Sequence, residues 1–152
     1  MPRKYHQMEL LPIKQTPEEN EEFTSNPLYR ETVLMTIDFY KKVGYAPPWI
    51  GYYVKQNGNI VGSAGFKGAP VNNAVEIAYG TMEEFQNKGI GTAICKAMVD
   101  LSLMTDRSVT ITARTIADDN FSARILLKNN FICTGTVQDP DDGEVWEWVY
   151  QQ

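Results

Sequence analysis

The stretch Glu76-Ile77-Ala78-Tyr79-Gly80, followed by Gln86-Asn87-Lys88-Gly89-Ile90-Gly91-Thr92, decides how this chain is read. A strand runs into a short polar loop, the loop into two glycines, and the glycines open an amphipathic helix. Ile90, Ala93, Ile94, Ala97, Met98 and Leu101 repeat at the spacing of one helix face. Glycines let a ligand approach the backbone, first-turn amides point outward, and the helix dipole favours negative charge. The segment is therefore a candidate anion cradle, with Lys88 as a cation and Gln86 as a donor. The phosphate loop GxxxxGK[ST] is missing, and the dinucleotide fingerprint lacks its third glycine because Ile94 stands there. A tight turn that binds nothing is the bland alternative.

Outward from this segment the period changes several times. Upstream, Met8 to Ile13 reads as a strand, and Thr16-Pro17-Glu18-Glu19 as a capping-box helix start. A second helix fills Pro27 to Val43, with Val33, Leu34, Ile37 and Tyr40 as its apolar stripe and Gly44 as its C-cap. Ile50 to Lys55 and Ile60 to Lys67 form a hairpin around Asn57-Gly58, and Val75 to Gly80 adds a third strand. Downstream, Ser108 to Ala113 is a β-branched strand, and Asp118 to Asn129 is a short helix capped by Asp118 or Asp119. Phe131 to Val137 and Val145 to Tyr150 are strands joined by the turn at Asp139 to Gly143. This order predicts an α/β (α+β) fold: a mixed, mostly antiparallel twisted sheet of six to seven strands with about four helices.

The 152 residues fit a single domain, 1–152, with residues 1–7 as a flexible start. Hydrophobic residues at 43% and charged residues at 22% are globular values. No membrane span or secretory leader is expected, which points to the cytoplasm. A net charge of −5 argues against a nucleic-acid partner. Cys95 and Cys133 read as free thiols, and His6 is the only histidine, so no metal site or histidine triad is expected.

Gln86-Asn87-Lys88-Gly89-Ile90-Gly91 resembles the Q/R-x-x-G-x-G/A acetyl-coenzyme A signature of the GCN5-related N-acetyltransferase (GNAT) superfamily. Glu76-Ile77-Ala78-Tyr79 resembles the E-I-G-Y strand of its ribosomal-protein N-terminal acetyltransferase (RimJ/RimL-like) branch. Ser122-Ala123-Arg124-Ile125-Leu126-Leu127-Lys128-Asn129-Asn130-Phe131 is similar to that branch's N-x-x-S-x-R-V-L-E-K-x-G-F element. The family asparagine falls on Asp119, with Asn120 one place later, and the family glycine is Asn130. The tyrosine that many members use as general acid maps to Leu126.

The resemblance implies acetyl-CoA as cosubstrate and direct attack of a primary amine, from a small molecule or peptide, on the thioester. It assigns backbone groups of Ala78, Tyr79, Gly80, Thr81 and Met82 to the acetyl-pantetheine arm. The pyrophosphate falls to the amides of Asn87, Lys88, Gly89, Ile90, Gly91 and Thr92, and Ser122 and Asn120 to the pantetheine or thiol. Glu76 is the candidate base, with partial burial beside Val75 and Ile77 expected to raise its pKa; the alternative is a strand carboxylate paired with a lysine. Ser122 is the candidate acid, the alternative being a backbone cap. Tyr29, Phe39 and Tyr45 are candidate acceptor-pocket residues. Trp146, Trp148 and Tyr150 read as core or as a homodimer contact, and the acidic turn as a solvated tip or a lure for a cationic amine. The rival function is a non-catalytic acyl-CoA-binding sensor, which Leu126 keeps open.

Overall fold

The computed structural model describes residues 8–118 and 120–152. The expected flexible stretch 1–7, with His6, and the cap or family position at Asp119 lie outside the described residues. The elements are β1 (Met8–Pro12), α1 (Glu21–Thr24) after a 3₁₀ turn at Glu18–Asn20, α2 (Pro27–Val43), β2 (Gly51–Gln56) and β3 (Asn59–Phe66). There follow β4 (Ala74–Thr81), α3 (Ile90–Thr105), β5 (Thr110–Ile116), α4 (Phe121–Lys128), β6 (Phe131–Asp139) and β7 (Gly143–Tyr150). They build one seven-stranded sheet in the order β1-β2-β3-β4-β5-β7-β6, in which only β4 and β5 run parallel. No helix among the described residues is long and apolar enough to cross a membrane.

Local chemistry explains most boundaries. The expected capping box forms only in part: the Glu19 amide donates to the Thr16 hydroxyl, but the Glu19 carboxylate accepts from that hydroxyl rather than from the Thr16 backbone N–H. Asn26 caps α2 by accepting the Leu28 amide, and Pro27 occupies the first helical position. Gly44 ends that helix at φ 94°, a left-handed value that glycine adopts without a Cβ clash.

Some boundaries differ from expectation. Strand β5 starts at Thr110 rather than Ser108, because Ser108 folds back onto the Asp106 carboxylate in an Asx turn. It also runs on to Ile116, held by the Ile116–Val145 pairing with β7. Helix α4 is capped by Asn120, not Asp118: the Asn120 carbonyl oxygen of the side chain accepts the Ala123 amide at 2.8 Å.

The sheet separates two apolar groups. On one face α3 and α4 cover Tyr52, Val54, Ala64, Ile77 and Ile111, with Ile94, Met98 and Leu126 filling the gap. On the other, α1 and α2 close a smaller group of Ile13, Phe23, Val33, Ile37 and Tyr53. Tyr40 anchors α2 at that face. Its buried hydroxyl donates to the Ile13 carbonyl at 2.7 Å and accepts the Gly51 amide at 2.9 Å. Trp148 is core, its indole N–H donating to the Thr115 hydroxyl.

Candidate active site

Strand β4 changes neighbours halfway. Its first half, Ala74 to Glu76, pairs with β5; its second half, Ile77 to Thr81, pairs with β3. Beyond the Glu76–Thr112 pair, β5 continues along β7, so the two parallel strands part and a wedge opens between them. Backbone groups alternate sides along a strand. The Glu76 carbonyl accepts from Lys67 and the Met82 amide donates to Val61, both of β3's side. Tyr79 and Thr81 are out of phase with these residues, so they turn their N–H and C=O groups to the wedge. Of the five residues expected to line the acetyl-pantetheine arm, these two turn their backbone groups to the wedge. Ala78 and Gly80 instead turn their side-chain positions to the α2 face.

Gly62 lies opposite Thr81, where β3 meets the second half of β4. A Cβ there would lie 2.3 Å from the Gly80 carbonyl oxygen and 2.9 Å from the Ile94 side chain. Only a residue without Cβ lets β3 approach this closely, which makes Gly62 a support of the site that the sequence reading missed.

At the wedge's α3 end lies a cavity of about 290 Å³, lined by Asn87, Gly89, Gly91 and Thr92 from the glycine segment and by Arg124 and Lys128 from α4. Asn87 and Gly89 both take positive φ, 64° and 79°, which bends the loop under the helix start. No side chain caps the first turn of α3. A Cβ on Gly91 would stand 2.6 Å from Ile125, so glycine is needed for α4 to lie this near. The Asn129 amide donates to the Thr92 carbonyl and ties the end of α4 to the start of α3. Two residues of the signature act elsewhere: Gln86 donates to the Thr81 carbonyl, and Lys88 lies over the Phe85 ring. The cations that line the cradle are Arg124 and Lys128, one helical turn apart. That i, i+4 spacing was visible in the sequence but carried no meaning until α4 was packed beside α3.

On the α2 side a cleft of about 530 Å³ opens onto Ala78, Tyr79 and Gly80. Its floor is Gly51, Ser63 and Gly65, and its roof Thr32, Met35, Thr36 and Phe39. Of the three aromatic residues expected at an acceptor pocket, Phe39 lines it. Tyr29 packs edge-on against Tyr53, and Tyr45 against Tyr40.

A third cavity, about 430 Å³, lies at the β5 side of the wedge and takes in Asn120 and Ser122 together with Lys67, Arg114, Asp139 and Asp142. Glu76 sits between its cations: Lys67 Nζ is 3.1 Å from one carboxylate oxygen and Arg114 Nε 4.0 Å from the other. Its surroundings are thus ionic rather than the apolar neighbours expected, and the lysine pairing is the one foreseen as the alternative. Arg114 also reaches Asp139 at 3.1 Å and Glu147 at 3.3 Å. The acidic turn is therefore tied down at Asp139. The backbone amide of Asp141, then Arg114, then the Asp142 amide hold that carboxyl down at about 2.

Two groups near the wedge are inert. Leu126, at the family's tyrosine position, is 1% exposed in the core. Burial pushes the Cys95 thiol up to about 12, so it is no thiolate at neutral pH. The buried Tyr79 hydroxyl has that thiol beside it and no hydrogen bond of ordinary geometry.

Solved structures share this fold. The ribosomal L7/L12 alpha-N-protein acetyltransferase RimL, in an apo crystal form, superposes with a TM-score of 0.68 at 20% identity, over 93% of this chain and 91% of its own. A spermidine N-acetyltransferase SpeG chimera from Vibrio cholerae and hSSAT gives 0.69 at 13% identity, over 96% of each chain. AAC(6')-Ib in complex with paromomycin and acetyl-CoA gives 0.67 at 19% identity, over 95% of this chain and 92% of its own. At these identities the likeness is one of fold. No curated protein matches the chain. The profile of the acetyltransferase (GNAT) domain matches residues 2–132, and with the wedge and glycine cradle in place the chain belongs to that family.

Proposed function

We propose that this chain is an acetyl-CoA-dependent N-acetyltransferase that moves an acetyl group to a primary amine of a small molecule or protein N terminus. One observation carries the reading: the β4–β5 wedge opens at one end onto the amide-lined start of α3 and at the other onto the α2 cleft. A thioester threaded through it would meet an amine arriving from the cleft. The pyrophosphate of acetyl-CoA would rest on the amides of the Asn87–Thr92 segment, with Arg124 and Lys128 supplying the positive charge that Lys88 was expected to give.

The amine nitrogen attacks the acetyl carbonyl, a C–N bond forms, and the carbonyl electrons move onto oxygen, where the Tyr79 N–H can meet them. A primary amine with a pKa near 10 must first lose a proton. Glu76 is the nearest carboxylate on the cleft face of β4, and a water between it and the amine is the shortest relay. Collapse breaks the C–S bond and expels the coenzyme A thiolate. Ser122, in the neighbouring cavity, is the candidate to protonate it, since Leu126 cannot. The two free cysteines suit a reducing cytoplasm.

A thiol-release assay with acetyl-CoA over an amine panel tests the proposal. Turnover that Glu76→Gln lowers supports it. Coenzyme A binding without turnover of any amine supports the acyl-CoA sensor instead, which Leu126 at the acid's place favours.

A further inference from the structure

The acceptor's chemical class is written in the charges around the cleft. Among its described lining residues the cleft holds one charged side chain, Lys67, and no carboxylate. Its floor of Gly51, Ser63 and Gly65 is flat, and its roof carries Met35, which is 65% exposed. A polycationic amine needs carboxylates for its second and third charges. The carboxylates on the sheet side of the cleft are occupied from inside: both oxygens of Glu76 face cations, Lys67 and Arg114, and Asp139 and Glu147 share Arg114. Glu31 and Asp38 of α2 are exposed, where solvent screens them. The other carboxylate of the β5-side cavity, Asp142, is exposed near the hairpin tip, where solvent screens it.

We infer that the acceptor is a primary amine whose only positive charge is the reacting nitrogen, borne on an apolar body, and that Lys67 excludes polyamines by occupying Glu76. This rests on the acetyltransferase reading and names its substrate class. The spermidine N-acetyltransferase chimera and the AAC(6')-Ib that binds paromomycin would differ from this chain in that class. Lys67 lines both the cleft and the neighbouring cavity, so an incoming second ammonium would meet its charge before reaching any carboxylate. The Lys67 side chain is 44% exposed, so solvent weakens like-charge repulsion there without abolishing it, and its removal should change specificity by about tenfold.

The experiment compares kcat/KM for 2-phenylethylamine, a short peptide beginning with phenylalanine, spermidine and paromomycin in the full chain. The expected result is preference for one or both of the first two by about tenfold or more. Lys67→Ala should raise the ratio of spermidine to 2-phenylethylamine kcat/KM by about tenfold, while Lys67→Arg keeps the original ratio. Met35→Asp, at an exposed roof position that should tolerate the change, tests the same idea independently by giving the cleft a carboxylate, and should move the ratio the same way. Preference of the unaltered chain for spermidine or paromomycin would overturn the inference and leave the acetyltransferase reading standing. Equal effects of Lys67→Ala on both amines, with no change from Met35→Asp, would overturn it too. Turnover of no amine at all would overturn both.

Discussion

The cradle at the start of α3 and the cleft under α2 serve the two sides of one wedge, yet they are built on opposite principles. The cradle is mostly a single run of chain, with its left-handed turns at Asn87 and Gly89 and an uncapped first turn. The cleft draws single residues from α2, β2, β3 and β4, which touch only because the sheet has formed. A cradle made of backbone amides binds what any peptide unit would bind in that conformation. A cleft made of side chains can change its ligand with one substitution. The difference teaches where each part of the molecule gets its character: the cradle from backbone conformation, the cleft from side-chain contacts.

The severest way to break the comparison is at Gly62, which supports both sides through the Gly80 peptide. Gly62→Ala should cost about 2–3 kcal/mol, because the obstructing atom is backbone and cannot swing away. It should also depress kcat well beyond the stability loss, read by thermal melting alongside single-turnover rates. A variant that melts normally and turns over normally would show that the close approach of β3 to β4 does not need glycine there.

A narrower test loosens the cleft alone. Tyr40→Phe leaves the buried Ile13 carbonyl and Gly51 amide without their shared partner and should cost about 2 kcal/mol. Because Gly51 lies in the cleft floor, the KM for the amine should rise more than that for acetyl-CoA. Equal changes in both would mean that the two sites are less independent than their construction suggests. Burial raises the Tyr40 hydroxyl from 10 to about 12, so its contribution is complete below pH 10 and drains as the pH climbs toward 12.

The converse variant spares the cleft. Arg124→Ala and Lys128→Ala should each raise the KM for acetyl-CoA by about three- to tenfold, in steps that shrink with added salt, and leave the amine KM in place. Steady-state kinetics at two ionic strengths separates this from a folding defect.

The smallest effect lies in acid. The Asp139 carboxyl is held at about 2 against an ordinary 3.8, so its tie to the hairpin and Arg114 supports the fold above pH 4 and is lost as pH falls toward 2. Asp139→Asn should flatten that part of the melting-temperature profile. An unchanged acid limb would mean that the hairpin is secured without it.

Glycine spacing, helix period and turn residues are local properties, and they sufficed for the element order, the α2 boundaries and the place of the cradle. The misplaced α4 cap shows the limit: Asp118 and Asn120 both suit a cap, and only the extension of β5 to Ile116 against β7 decides for Asn120. Glu76 is similar. Its neighbours in the chain are Val75 and Ile77, which suggested an apolar setting, but its neighbours in space are Lys67 and Arg114.

The sequence by itself determined that Asn87–Thr92 forms a glycine-bearing helix start suited to an anion, because amide direction and helix dipole follow from the local backbone. The tertiary structure alone decided which cations stand beside that helix start, which two residues of β4 turn their backbone groups to the wedge, and which charges surround Glu76. Each depends on residues far apart in the chain, and side-chain electrostatics acts through distance in space, for which sequence separation is no guide.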